Sequence, residues 1–198
     1  MLSLKKNIVL LIPQMRRGGA ERVVSRLSFL LNQEYNIKII VFDDSNITYE
    51  VGCDLHSLNI PPRTDTKLLP KAINAINRII KYRKYKKAHE VDITYSFGGT
   101  ANLINILSFG KDKKIISIRG YKGIIKGENF REKFFTKPLS KYLYKKSDRV
   151  VTVSKVMTST IARVYGVEES KIYTCYNGYD VIDIYRKSQE ELSREETE

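Results

Sequence analysis

Gly18-Gly19-Ala20-Glu21-Arg22, a few residues beyond the apolar run Asn7 to Pro13, has the composition of an anion cradle. Glycines let the backbone reach positive φ and let a ligand approach the main chain, while the first N–H groups of a helix starting there stay unpaired. Phosphate or carboxylate suits such a turn. A second glycine turn, Ser96 to Thr100 with Gly98 and Gly99 inside it, repeats the pattern. Arg119 follows the apolar run Lys113 to Ile118, and its guanidinium presents a planar fork of donors that fits the same anions but is no base near neutral pH. Asn177, Gly178 and Asp180 have the composition of a turn. Plainer roles exist for each. Glycine pairs close many strand-to-helix turns, Glu21 in a first helical turn complements the macrodipole, Arg119 can pair with a surface acid, and Ser154 reads as a helix N-cap.

Little else in the chain suggests chemistry. His56 and His89 fall on an expected edge strand and in a basic loop, away from the glycine turns. Cys53 and Cys175 have no neighbouring Cys or His at metal-ligand spacing, so no metal and no cofactor is expected, and both read as small core residues in a reducing compartment.

Alternating elements must position these groups. Strands are expected at Asn7 to Pro13, Ile37 to Phe42, Val51 to Leu58, Val91 to Phe97, Lys113 to Ile118, Arg149 to Val153 and Lys171 to Cys175. Helical patterns run over Gly19 to Gln33, Thr66 to Lys87, Gly99 to Phe109, Phe130 to Lys146 and Ser154 to Tyr165. The alternation predicts an α/β fold, a single Rossmann-like parallel sheet with helices on both faces. Ile8 to Ile12, apolar without a break, fits a strand buried on both sides, and Val23, Val24, Leu27, Leu30 and Leu31 form one stripe of the first helix. Ligands of such sheets bind beyond the carboxyl ends of the strands. Gln14 to Gly19, Ser96 to Thr100, Arg119 to Gly123, Ser154 and Asn177 to Asp180 occupy those ends.

A length of 198 residues suits one well-buried domain. Lys5 and Lys6 precede only five apolar residues, too few for a signal-peptide core, and no later stretch could span a bilayer, so a cytoplasmic location is expected. The net charge of +13 is concentrated: Arg63 to Lys87 holds nine basic residues against Asp65, and Lys111 to Lys146 holds twelve against three acids. Such clustering calls for an anionic partner: a phospholipid surface, a nucleic acid or a phosphorylated substrate.

Several segments together resemble the amino-terminal domain of family 4 glycosyltransferases, retaining nucleotide-sugar enzymes with two Rossmann-like domains (the GT-B fold). They are Gly18 to Arg22, Asp92 to Phe97, Ser147 to Ser154, and Lys171 to Asp180 with its Asn-Gly-x-Asp hinge. The resemblance implies that residues 1–180 bind the acceptor. It also implies that 181–198 form a linker or peripheral helix leading to a donor-binding domain not contained in this sequence, so that the chain alone is expected to be inactive. It further implies donor-phosphate contacts at Gly18, Gly19 and Glu21, and acceptor contacts at Arg16, Ser96, Gly98, Gly99, Thr100, Tyr121 and Lys122. Asn177, Gly178 and Asp180 would be the hinge, and Arg119 the catalytic group, standing where many relatives carry a histidine.

Implied partners are a nucleotide-sugar donor, a saccharide or lipid-linked acceptor of bacterial surface polysaccharide, capsule or glycolipid synthesis, and an anionic membrane. For the membrane, the basic and aromatic stretches Ile79 to Lys87 and Phe134 to Lys146 read as helices able to lie on the inner face of the bilayer. Two other readings stay open: a basic nucleic-acid-binding module, which lacks any recognisable motif and is the less expected, and a non-catalytic subunit completed by a separate partner.

Overall fold

The computed structural model describes residues 5–61, 68–120, 137–179 and 181–190. Seven strands form one sheet: β1 (Asn7–Ile12), β2 (Asn36–Val41), β3 (Asp54–Ser57), β4 (Ile93–Phe97), β5 (Lys113–Ile118), β6 (Arg149–Thr152) and β7 (Ile172–Thr174). Their spatial order is β3-β2-β1-β4-β5-β6-β7, and every neighbouring pair is parallel. Helices α1 (Gly19–Leu31), α2 (Leu68–Ala88), α3 (Gly99–Leu107), α4 (Lys137–Lys145) and α5 (Lys155–Tyr165) lie between strands, and α6 (Val181–Ser188) follows the last one.

Crossovers between parallel strands are right-handed, so the chain's change of direction decides which face each helix covers. From β1 the chain moves outward to β2 and β3, then returns to the other side of β1 at β4. Accordingly α1 packs on one face, where Val24 meets Ile8, Leu10, Ile12, Ile37 and Ile39. On the opposite face α2 and α3 bring Tyr82, Tyr85, Ala101 and Ile104 against Val9, Leu11, Ile40 and Phe42. Farther along, α4 and α5 cover Ile116, Val150 and Ile172 with Leu143, Met157 and Ile161. β1 has its side chains shared between the two cores, which is why its sequence does not alternate.

β3 begins three residues later than expected, because side chains of α1 claim the segment before it. Ser25 Oγ donates to the Glu50 carbonyl (2.6 Å), Gly52 N–H to Ser28 Oγ (2.8 Å), and Asn32 Nδ2 to the Gly52 carbonyl (2.8 Å). A Cβ on Gly52 would stand 2.7 Å from Phe29 Cα, so only glycine lets the backbones come this close.

The two cysteines part company. Cys53 is half-buried and burial pushes its thiol up to about 11, whereas Cys175 is exposed rather than a core residue. At pH 8 a thiol reagent is expected to modify Cys175 at least tenfold faster than Cys53, since thiolate is the reacting form. Peptide mass mapping after timed alkylation checks this, and equal rates would contradict the placement.

Candidate functional site

The reversal between β1 and β4 opens a crevice at their carboxyl ends, and both glycine turns meet there. A Cβ on Gly98 would lie 4.0 Å from Pro13 Cδ, so the turn before α3 abuts the loop leaving β1. Gly98 has φ +91°, a conformation that favours glycine. Gly18 instead is extended (φ −176°, ψ 167°), which corrects the expectation of positive φ in the first turn. What the first turn needs is room: nothing stands within 4 Å of a Cβ placed on Gly19.

Donors at this lip come from two helix starts. The first bond of α1 runs from Arg22 N–H to the Gly18 carbonyl (3.1 Å), leaving the N–H groups of Gly19, Ala20 and Glu21 ahead of the ladder. The Gly18 N–H is engaged by Tyr49 Oη (3.3 Å), which also donates to the Gly18 carbonyl (3.2 Å). Of the two expected donors, Gly19 is therefore the open one. The Glu21 carboxylate folds back beside Gly18, so an anion approaches most favourably past Gly19. Gly98, Gly99 and Thr100 are exposed at the start of α3.

Buried amides hold that second turn in place. Asn102 Nδ2 donates to the Ser117 carbonyl (3.0 Å), and Asn105 Nδ2 reaches the Thr94 carbonyl (3.2 Å) and Ser96 Oγ (3.0 Å). Ser96 is fully buried, with its hydroxyl donating to Asn102 Oδ1 (2.9 Å) and the Ile115 carbonyl (3.3 Å). Its contacts fasten α3 to the sheet instead of facing the lip.

Arg119, half-buried beyond β5, donates through Nη2 to Asn177 Oδ1, and Arg26 of α1 donates to the Gly178 carbonyl (2.7 Å). Tyr95 lies in the same corner. Burial raises its phenol above the usual value, opposed by a hydrogen bond with Ser117 and the positive charge of Arg119. Arg16 is exposed on the β1 loop near Asp43. The Ser45 hydroxyl (2.6 Å) holds the Asp43 carboxyl below its usual range against desolvation, with Gln14 and the charge of Arg16 adding to the effect. Tyr121, Lys122 and Asp180 lie outside the described residues.

Sequence reasoning passed over Tyr49, Asp43 and the two asparagines of α3. Tyr49 and Asp43 sit in the loop after β2, which two main-chain bonds also tie to the site, Phe42 N–H to the Pro13 carbonyl (3.0 Å) and Thr48 N–H to the Met15 carbonyl (2.9 Å). Asparagines at an i, i+3 spacing inside an apolar stripe were the available signal for the other two.

A cavity of about 170 Å³ lies at the opposite, amino edge of the sheet, lined by Asn7, Asn36, Lys38, Tyr85 and His89 among others. It contains neither glycine turn nor Arg119, so the open lip is the candidate site. Among the described residues no group of three or more His, Cys, Asp or Glu side chains converges in a way that could hold a metal.

A doubly wound parallel sheet with two glycine-started helices at its switch point and an arginine beyond the neighbouring strand is one lobe of the GT-B glycosyltransferase architecture. The chain belongs to Glycosyltransferase Family 4, whose model matches residues 17–182. It is 26% identical over 180 residues to the N-acetylgalactosamine-N,N'-diacetylbacillosaminyl-diphospho-undecaprenol 4-alpha-N-acetylgalactosaminyltransferase of Campylobacter jejuni, covering 89% of this chain and 49% of that protein. Among solved structures it resembles a glycosyltransferase from Rickettsia africae, with TM-score 0.63, 15% identity and coverage of 96% of this chain and 47% of that one. It also resembles the sucrose-phosphate synthase of Thermosynechococcus elongatus, with TM-score 0.67, 11% identity, and coverage of 90% and 49%. These two likenesses carry the fold. The chain spans about half the length of each of these relatives.

Proposed function

We propose that this chain is the acceptor-binding lobe of a retaining glycosyltransferase. The complete enzyme would move a sugar from a nucleotide-sugar donor to a lipid-linked saccharide at the inner face of a bacterial membrane, in surface polysaccharide or glycolipid synthesis. The observation that carries this reading is the meeting of both glycine turns at the crevice between β1 and β4 of a family 4 domain, with Arg119 beyond the neighbouring strand β5. The Campylobacter relative, named for a diphospho-undecaprenol acceptor, supports the lipid-linked class.

In this reading Gly19 and the first N–H groups of α1 stabilise charge building on the leaving diphosphate, with the donor held by a second domain joined after the hinge at Asn177, Gly178 and Asp180. Stabilisation by preorganised donors of this kind is usually the largest catalytic term. Arg16, Arg119, Gly98, Gly99 and Thr100 receive the acceptor, Tyr121 and Lys122 extend that set, and Glu21 takes a sugar hydroxyl from its seat beside Gly18.

The test is titration of the 198-residue chain with a short-chain polyprenyl-diphospho-disaccharide, followed by isothermal calorimetry, with a nucleoside diphosphate as the comparison. Saturable binding of the saccharide, stronger than that of the nucleotide, is expected. Tighter binding of the nucleotide, or no saturation by the saccharide, would overturn the assignment of this lobe to the acceptor.

A further inference from the structure

The cavity at the amino edge of the sheet is separate from the crevice, and its walls converge on a different chemistry. α2 ends at Ala88, and the chain returns to β4 through Glu90, whose φ is +45°. A space remains between that last helical turn and the first residues of β1 and β2. Its volume, about 170 Å³, is of the order that holds one six-membered ring, and Ile8, Val9 and Val91 line it with apolar surface.

The polar groups of the wall sort by elimination. Asn7 Nδ2 donates to the His89 (3.4 Å) and Glu90 (3.2 Å) carbonyls, and its Oδ1 accepts from Asn36 Nδ2 (2.7 Å). His89 Nδ1 donates to the Tyr85 carbonyl (2.9 Å), and its ring stacks on that of Tyr85 with centroids 4.0 Å apart. Carbonyls at a helix end repel an anion, but these three are taken up, and the imidazole is fixed as a flat wall. Two groups are left. Lys38 Nζ pairs loosely with Asp54 Oδ2 (3.8 Å), whose side chain is 84% exposed and screened by water. Tyr85 is 8% exposed, yet its hydroxyl has no hydrogen-bond partner among the described residues. Such an orphan in a folded protein calls for something else to engage it. Burial, with the charge of Asp54, raises this phenol above its usual value, so it stays protonated and donates. No acidic side chain among the described residues lines the space.

The burial of Tyr85 also corrects the sequence expectation for α2. Tyr82, Tyr85 and Lys86 belong to the stretch read as bilayer-facing, but they are buried, and the helix turns Leu69, Ile73, Ile76 and Ile80 outward instead.

We propose that the amino-edge cavity binds a small organic carboxylate, its anionic head held by the Lys38 ammonium and the Tyr85 hydroxyl, its ring-sized body lying over Val9 and Val91 against the His89 imidazole. A carboxylate is an acceptor for both donors, and charge-assisted hydrogen bonds are the strong ones. The body adds the apolar contact that a bare inorganic anion lacks. Neither glycine turn nor Arg119 takes part, so the site stands independently of what the crevice receives.

The chain has two histidines, so the imidazole C–H signals of His56 and His89 are readily separated in a proton–carbon NMR spectrum, with His56→Gln giving the assignment. Titration of the chain with benzoate at constant pH and ionic strength is expected to move the His89 signal saturably. Benzyl alcohol, the same body without the charge, and inorganic phosphate, a charge without the body, are each expected to bind at least ~10-fold more weakly. Tyr85→Phe removes the unpartnered hydroxyl and keeps the ring, so it should fold as the parent does and bind benzoate about 3- to 10-fold more weakly. Lys38→Met should weaken benzoate binding ~10-fold or more. Absence of a saturable His89 shift with benzoate would overturn the site. Benzyl alcohol or phosphate binding as tightly as benzoate would overturn the carboxylate in favour of an apolar body or a bare anion. Unchanged affinity in both variants would overturn the placement of the head.

Discussion

Asp112→Ala is expected to cost the fold on the order of 3 to 5 kcal/mol, the loss typical when one partner of a buried ion pair is removed. Asp112 is buried between β4, β5 and α2. Lys86 Nζ donates to its Oδ1 (2.8 Å), Lys114 Nζ lies 3.4 Å from the same oxygen, and Thr94 Oγ1 donates to Oδ2 (2.8 Å) while meeting Tyr82 Oη at 2.7 Å. Gly110 makes the space, since a Cβ there would stand 2.5 Å from Asp112 Oδ1 and 3.2 Å from Lys86 Nζ.

Burial holds the Lys86 ammonium below its usual value of 10.5, opposed by its bond to Asp112. A lysine depressed in the fold binds fewer protons there than in the unfolded chain. It therefore adds stability as pH rises from its lowered folded value to 10.5, and that stability is lost as pH falls. Without Asp112 the depression deepens, so the gap between variant and parent should narrow as pH rises toward 10. Urea denaturation followed by far-ultraviolet circular dichroism at pH 7 and pH 9.5 reads both effects. Lys86→Met/Asp112→Leu, which removes both charges of the pair, should cost less than Asp112→Ala. A single variant as stable as the parent would mean that water reaches the pair.

Arg119→Ala is expected to raise the Kd for the diphospho-saccharide on the order of 10- to 100-fold, as loss of charge-assisted hydrogen bonds to an anion implies. Its contact with Asn177 offers a control, because Asn177→Ala removes that bond and keeps the guanidinium. The asparagine variant should bind within a few-fold of the parent. Arg119→Lys should recover charge without the fork and fall between them. If the asparagine and arginine variants weaken binding equally, Arg119 acts only through the hinge contact. Gly19→Ala is read with the nucleoside diphosphate instead: its Cβ meets no atom of the domain, so unchanged folding with weakened binding of the diphosphate would report the approach of a ligand to the backbone.

The architecture was legible because local pattern and tertiary need agree in an open parallel sheet. Ile8 to Ile12 announce burial on both faces, Val24 and Leu27 announce the side of α1 that packs, and Ser154 marks the start of α5, where its hydroxyl accepts the Met157 N–H (3.2 Å). The misreadings share a cause in distant partners. Tyr82, Tyr85 and Lys86 looked like a surface set because nothing nearby in sequence could satisfy them, yet Thr94 and Asp112, residues of the next two strand regions, do so for Tyr82 and Lys86. Two amphipathic faces coexist on α2, and periodicity alone cannot choose between them. The site follows the same division. Its glycines and Arg119 are visible as residue types, whereas Tyr49 closing on Gly18 depends on a loop 31 residues away.

Asn177 and Gly178 are each tied to a different wall of the crevice, the first to Arg119 behind β5 and the second to Arg26 on α1. Under the hinge role proposed above, the segment after β7 is a pulley with two cords: a swing at that pivot would slacken or tighten both bonds, gearing the turn to the shape of the mouth.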